Sequence, residues 1–581
     1  MYLKICYPNG KKYLAIAHGY RDPKTKKTLA KTIQSLGYVD ELEKVYPDPI
    51  AHFKEVVAKM NAEEAAKKAL CRIEIDPKAA IDGDGRKLIG YAPLSQIYHN
   101  LGLKLLFDNR SRYTNAEYSV NDIVKTEIYS RILFPGSKKS AFERKGLFFE
   151  KNDYSLDDVY RCLSFLNSFK DDILLHLHDK ITEKYGRTTE LMYYDVTNYY
   201  FEIDKNDEDT LNGAGRVLQE GLRKKGVNKE HRPDPIVQMG LLQDVNGIPV
   251  TYKLFAGNAN DCETLVPIMK EIKRDFNVKK TIVVADKGLN TSPNIIFNIL
   301  KGDGYVFSQT VRGGNKEFKD YVLNQSGYRK FGKDANSKLK SRIYPREIYV
   351  TDIQGKEKKF RIDEKQVVFY SQDYDKRAKA EREATVLKAR DLVKNPAKYN
   401  RTTSYGAAKY VKNLEFDKET GEVLTVKSVP VFNAEKLAEE EIWDGYYAVV
   451  TSELDKSDEE IIEIYRGLWK IEESFKVSKS GIKSRPVFVS RQEHIQAHFL
   501  ICFIALTIIR ILEKQLDNKF SAAQIAESLR SVVGFPLQEN WYHFAYADDV
   551  SAQIQKTMDI PLTNKFLTTG DIKKILGNTK K

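Results

Sequence analysis

The chain has 581 residues, 42% hydrophobic and 11% aromatic, which is too long for one core and too apolar for a disordered chain; roughly three to five domains are expected. The net charge of +13 favours a polyanionic partner, nucleic acid before membrane. Five cysteines (Cys6, Cys71, Cys162, Cys262, Cys502) are odd in number, far apart and without zinc-ligand spacing, so a reducing, cytoplasmic compartment is the simplest reading.

Residues 1–85 read as a small α+β domain. LKICY, KKYLAIAHGY and KTLAKTIQSLGYV are strand-like, Asn9-Gly10 is a tight turn, and 48–70 is helical. Its basic residues, Lys11, Lys12, Arg21, Lys24, Lys26 and Lys27, fit either a DNA-end contact or a solvated face. The N-terminus, MYLKICYPNGKKYL, has no signal-peptide core. Residues 86–185 are helical by apolar spacing, with Ser119 and Asn121 as possible caps. Two helices around SKKSAFERK (137–145) make either a DNA-binding region or a plain bundle. His176 and His178 face apart on a helix and are no metal pair.

At 191 the period changes. LMYYDVTNYYFE is a strand carrying Asp195 in an apolar setting, which faces solvent or is paired or metal-bound. Residues 203–234 read as a mobile basic loop, with Lys224, Lys225 and Arg232 as candidate phosphate contacts. IVQMGLLQDVNGIPVTYKLFAGN is a hairpin about Asn246-Gly247, and DCETLVPIMKEIKRDF a helix. TIVVA is a buried strand that ends in Asp286, a position favoured for chemistry in α/β sheets, or else a helix cap. A helix (SPNIIFNILKGDG) and a strand (YVFSQTV) follow. The order from 191, three strands, helix, strand, helix, strand, is that of a ribonuclease-H-like fold. It would set the first and fourth strands side by side and bring Asp195 near Asp286. Residues 312–442 interrupt the pattern as a β-rich insertion domain with one helix. WDGYYAVVTSE returns to strand character at 443, and the catalytic core resumes over 443–515.

Ser457, Asp458 and Glu459 start a helix that leads into YRGLWKIEESFKVSK (465–479). Seven residues are close to two helical turns, so Tyr465, Glu472 and Lys479 stack on one face, while Glu473 points about 100° away. A carboxylate between a tyrosine and a lysine suits a metal and a phosphate; a surface helix with pairs such as Glu472 and Lys476 is the alternative. Phe499–Ile509, eleven apolar residues, is too short to span a bilayer and reads as a buried helix. The tail, 516–581, is a helical region without an assigned role.

With Asp195, Asp286 and Glu472 placed, the chain resembles the DDE transposases of bacterial insertion sequences. It looks most like the insertion-sequence-four superfamily, with a β-rich insertion ahead of the Glu and a Tyr-x2-Arg-x3-Glu-x6-Lys signature. YYDVTNYYFE, VVADKGLN and YRGLWKIEESFKVSK carry the likeness, the last at Tyr465, Glu472 and Lys479. The family's Arg falls at Leu468; Arg466 lies about 120° from Glu472 around the helix. The resemblance implies an α/β, ribonuclease-H-like catalytic core (186–311 and 443–515) that cuts DNA at inverted-repeat ends and joins the 3′-hydroxyls to target DNA. It also implies two Mg²⁺ or Mn²⁺ ions on Asp195, Asp286 and Glu472, with Tyr465, Lys479, Arg466 and Lys476 near the phosphate. The partners would be transposon-end and target DNA in a homodimeric or larger synaptic complex, in the bacterial cytoplasm at the nucleoid and without a membrane. Trp443 is a candidate for stacking a flipped base at the cut end, or a core residue. A catalytically impaired DNA-binding relic and a structure-specific nuclease without strand joining are the competing readings.

Overall fold

Three strands, a one-turn helix at Val39–Leu42 and a longer helix build the described part of the first unit of the computed structural model. The structure describes residues 1–21, 28–68, 83–227, 233–332, 336–351, 354–395, 406–407, 409–412, 431–537 and 540–581. Lys24, Lys26, Lys27, Cys71, Arg232 and the hairpin-like stretch NLEFDKETGEVLTVKSV (413–429) of the insertion lie outside those residues. The chain divides into two units, Met1–Asp84 with Leu537–Trp541, and Gly85–Pro536 with Tyr542–Lys581. In the first, β1 (Tyr2–Cys6), β2 (Tyr13–Arg21) and β3 (Thr28–Tyr38) form an antiparallel sheet, followed by α1 (Pro49–Lys68). Asn9 and Gly10 take φ of 50° and 78°, which is why Asn-Gly marks the first turn.

The second unit begins with a helical layer: α2 (Ala92–Asn100), α3 (Leu103–Ser111), α4 (Val120–Leu133), α5 (Lys138–Glu143), α6 (Leu156–Ser168) and α7 (Lys170–Tyr185). The Ser119 side chain caps α4, accepting from the Asp122 N–H. SKKSAFERK lies between α4 and α6, and most of it is itself the short helix α5. Lys138 is 3% exposed and paired with Glu127 at 3.0 Å, so it faces the core and not a ligand.

The central sheet starts at β4 (Leu191–Tyr200). Then come β5 (Ile236–Asp244), β6 (Pro249–Ala256), α8 (Leu265–Asp275), β7 (Ile282–Ala285), α9 (Ser292–Leu300) and β8 (Gly304–Gln309). Every residue of β5 is buried, as expected for a strand covered on both faces. The stretch after 311 adds α10 (Lys316–Leu323), β9 (Arg329–Lys330), β10 (Lys338–Thr351), β11 (Glu357–Tyr370), α11 (Gln372–Lys394) and α12 (Ala434–Glu441), before the chain returns as β12 (Tyr446–Thr451). One nine-stranded sheet results, in the order β9-β10-β11-β12-β8-β7-β4-β5-β6. β4, β7 and β8 are parallel neighbours, and all other pairings are antiparallel. The adjacency of the first and fourth core strands is therefore present. Within the insertion, β11 pairs with β12 through six residues, so β9, β10 and β11 extend the catalytic sheet, while Val411–Lys412 and Val431–Phe432 form a separate two-stranded sheet.

After β12 come α13 (Asp458–Arg466), α14 (Trp469–Lys476) and α15 (Gln492–Gln515). The apolar run at 499–509 belongs to this 24-residue helix. By length and composition alone α15 could cross a membrane, yet it is almost wholly enclosed by protein. It packs on α2, α4 and α6 and reaches the sheet through ring contacts of Phe499 with Tyr199 and Phe503 with Tyr252. The C-terminal α16 (Ala522–Ser531), α17 (Asp549–Met558) and α18 (Thr569–Asn578) share a core with the helical layer.

Arg187, between α7 and β4, is fully buried against Asp244 at 3.1 Å, and Asp244 also accepts the N–H groups of Asn246 and Ile248 in the hairpin turn. Removing one partner of such a pair strands the other charge. Asp244→Ala is expected to cost about 3–5 kcal/mol, read as a lower midpoint in chemical denaturation.

Candidate active site

The geometry of the site follows from strand register. β7 lies parallel to β4 with Ile282 opposite Leu191, Val283 opposite Met192 and Val284 opposite Tyr193. Carried two residues past the last paired position, the same offset would bring Asp286, just beyond the end of β7, level with Asp195 of β4; neighbouring strands run about 4.8 Å apart and point matched residues to one face. Asp195 is partly exposed, and its Oδ1 accepts the Val196 N–H at 2.7 Å. Asp286 ends β7. Its Oδ1 accepts the Lys287 N–H at 2.7 Å and the Ser308 hydroxyl at 2.7 Å.

The helix carrying Glu472 crosses that face of β4. Upstream, the Tyr193 hydroxyl donates to the Ile464 carbonyl at 3.1 Å; downstream, the Tyr199 hydroxyl meets Ser478 Oγ at 2.8 Å. Asp195 lies between these two tyrosines on the same face, and Glu472 lies between Ile464 and Ser478. Gly467 makes the approach possible, since a Cβ there would fall 1.8 Å from the Tyr193 hydroxyl oxygen. Lys470 Nζ donates to the Val245 carbonyl at 2.7 Å and ties the helix to the Asn246-Gly247 turn.

The stretch 465–479 is not one helix. α13 ends at Arg466, α14 starts at Trp469, and a π-type turn spans Val477–Gly481. Tyr465, Glu472 and Lys479 therefore do not share one continuous helical face. Tyr465 and Glu472 still converge on Asp286. Partial desolvation of its carboxyl, on a residue otherwise open to solvent, and the negative charge of Asp286 raise Glu472 above its ordinary range; burial, the neighbouring Tyr447 and Asp286 raise the Tyr465 hydroxyl. Glu473 turns the other way, 3.9 Å from Arg510. The Tyr465 hydroxyl is 2.7 Å from that of Tyr447 on β12, and Ser308 is a polar neighbour of both.

Among the basic residues expected at a phosphate, Lys479 lies in the π-type turn with its ammonium 5.6 Å from the centre of the Tyr199 ring. Lys476 is exposed on the last turn of α14. Arg466 pairs with Glu463 at 2.7 Å and leans over Phe331, while Leu468, at the family's Arg position, is buried. Lys224 pairs with Asp209 at 2.7 Å, so that end of the basic loop is held by an ion pair; Lys225 is exposed.

Sequence reasoning missed Ser308 and Tyr447. A polar residue inside the apolar YVFSQ was the one signal for Ser308, and nothing local linked either to Asp286. A cavity of about 460 Å³ opens beside Ser308 and Tyr447, lined also by Lys287, Arg312, Tyr374, Arg377 and Trp443.

Carboxylates are hard oxygen donors, the chemistry that suits Mg²⁺ or Mn²⁺. Among the described residues, no three His, Cys, Asp or Glu side chains are grouped closely enough to hold a metal ion as they stand. Glu472 is exposed, and Asp286 already repels it; a cation between them would remove that repulsion.

Gly467→Ala is expected to destabilise the unit by about 1–3 kcal/mol, the cost of overpacking a close contact. A lower melting temperature by scanning calorimetry checks this.

Residues 237–508 match the family model of a transposase DDE domain, and residues 4–70 that of the IS1634 family transposase N-terminal domain. Asp286 and Glu472 fall inside the first match, and Asp195 precedes it. No curated protein matches the chain. Among solved structures, a piggyBac transposase synaptic complex with hairpin DNA is similar at 9% identity and a TM-score of 0.29, covering 89% of this chain and 80% of that one. A Mos1 transposase paired-end complex is similar at 10% identity and a TM-score of 0.14, covering 42% and 66%. Likenesses at these scores carry no argument about the fold. The two family models each cover less than half of the chain and are what those parts of it are similar to: a transposase DDE domain and an IS1634 family transposase N-terminal domain.

Proposed function

We propose that this protein binds the inverted-repeat ends of its own insertion sequence, cuts the DNA there and joins the 3′-hydroxyl ends to target DNA. The observation that carries the reading is the register match of Asp195 and Asp286 beneath the helix of Glu472, inside and just ahead of a DDE domain match. The strand order β6-β5-β4-β7-β8, with β5 antiparallel, is the reason to class the core as ribonuclease-H-like.

Asp195, Asp286 and Glu472 would hold two Mg²⁺ or Mn²⁺ ions. Bound there, the ions would supply an activated water or 3′-hydroxyl and stabilise the leaving oxygen. The protein's own part is placement. The Lys287 N–H and the Ser308 hydroxyl fix one oxygen of Asp286. Glu472, on an exposed helix turn, completes the set by turning toward Asp286. Lys476, Lys479 and Lys287 add positive charge along the path of a phosphate backbone. The basic, aromatic cavity beside Ser308 gives a displaced base at the cut end a place to stack, on Trp443 or Tyr374. The working form would be a homodimer or larger complex on paired ends, in the bacterial cytoplasm.

Duplex DNA carrying the gene's flanking repeats, incubated with protein and Mg²⁺ or Mn²⁺, is expected to be cut at the repeat ends. Asp195→Ala, Asp286→Ala and Glu472→Ala should each lower cleavage by about 100-fold or more, since even the partners of metal ligands account for 10–100-fold. Cutting that survives these changes rejects the assignment. Cutting without joined product favours a nuclease, and binding without cutting favours a relic. Affinity for the ends should fall by about 10³-fold or more between 50 and 200 mM salt if six or more phosphates are neutralised.

A further inference from the structure

The hydroxyl groups behind Asp286 form a chain that runs away from solvent. Ser308 is 2% exposed and gives its proton to Asp286 Oδ1 at 2.7 Å. A serine hydroxyl has one proton and two lone pairs. With that proton given to Asp286, Ser308 can accept from one tyrosine hydroxyl only, because the other tyrosine gives its proton to its neighbour. Tyr447 and Tyr465 lie 2.7 Å apart, oxygen to oxygen, and Ser308 is a polar neighbour of both. Tyr465 is 8% exposed. The three residues come from β8, β12 and α13, so the chain ties the Asp286 loop to the helix that leads to Glu472.

We infer that Ser308, Tyr447 and Tyr465 are positioning residues for the Asp286 carboxylate, and that Tyr465 acts through Ser308 and not by touching a DNA phosphate. This rests on the reading of Asp286 as a metal ligand. Partners that orient a metal's ligands typically account for 10–100-fold in metal affinity or activity. A tyrosine that held phosphate would instead show itself in DNA affinity. A second tie holds the same loop: Asn290 donates to the Ser308 carbonyl at 3.0 Å and accepts from Arg346 of β10 at 2.9 Å. It fixes backbone and leaves the Asp286 oxygen to Ser308.

The test uses the full chain bound to repeat-end duplex, with Mn²⁺ uptake followed by the paramagnetic resonance of free Mn²⁺. Affinity for the duplex without metal is measured in parallel. Ser308→Ala is expected to raise the Mn²⁺ concentration for half-saturation by about 10-fold or more, with Ser308→Thr restoring it. Tyr465→Phe should raise it in the same direction by less, and duplex affinity should stay within about twofold of wild type. The Mg²⁺ concentration for half-maximal cleavage should move in parallel. Weaker duplex binding by Tyr465→Phe with unchanged Mn²⁺ uptake would overturn the inference, as would unchanged uptake by Ser308→Ala. Wild type that takes up no Mn²⁺ would instead overturn the reading of Asp286 itself, and the inference with it.

Discussion

Everything at the candidate site depends on one parallel strand pairing, β7 against β4. Antiparallel neighbours can be joined by a two-residue turn, but this pair needs a crossover, and the crossover is the path from β4 through β5, β6 and α8. Its register is held by the apolar residues on both strands. A slip of one residue would turn Asp286 to the face opposite Asp195. The two aspartates therefore need no direct contact to be matched; the packing of Val283, Val284, Met192 and Tyr194 does it for them. Glu472 arrives by a separate route, seated on the same strand through Tyr193 and Tyr199.

Much of this was legible in the residues. Aromatic and β-branched runs marked β4 and β7, Asn-Gly marked the hairpin, and the serine-acid start marked α13, whose Ser457 and Glu460 form a capping box. These are local signals, written within a few residues. What the sequence hid was non-local. The alternation in KSRIYPREIYVTDI shows a strand but not its partner, so it could not tell that β10 and β11 would extend the catalytic sheet. The spacing of Tyr465, Glu472 and Lys479 suits a straight helix, and nothing in it reports that Gly467 is pressed on Tyr193 or that the chain widens to a π-type turn after Lys476. Ser308 and Tyr447 lie on strands that neighbour one another only in the folded sheet.

The charge of the chain is distributed less simply than its total implies. Several basic residues that sequence marks as DNA contacts are paired within the protein: Lys138 with Glu127, Lys224 with Asp209 and Arg466 with Glu463. Buried pairs such as the first are commitments of the core, since breaking one leaves a stranded charge. Exposed pairs such as the last are worth less than about 1 kcal/mol and can open to a polyanion. The residues nearest the carboxylates are held differently, with Lys479 over an aromatic ring and Lys287 next to Asp286 in the chain.

The fusion of the insertion with the sheet has a consequence for how such a chain can change over time. β12 is hydrogen-bonded on both sides, to β8 and to β11. Excising the insertion at its ends would leave β12 as an open edge, with a row of unpaired N–H and C=O groups beside Val449 and Val450. Bare apolar edges of that kind template aggregation. The segment that looks most like an optional accessory is thus the shield of the strand that delivers Glu472. A shortened descendant would have to acquire a bulge, a charge or a covering loop on β12 before it could lose the insertion.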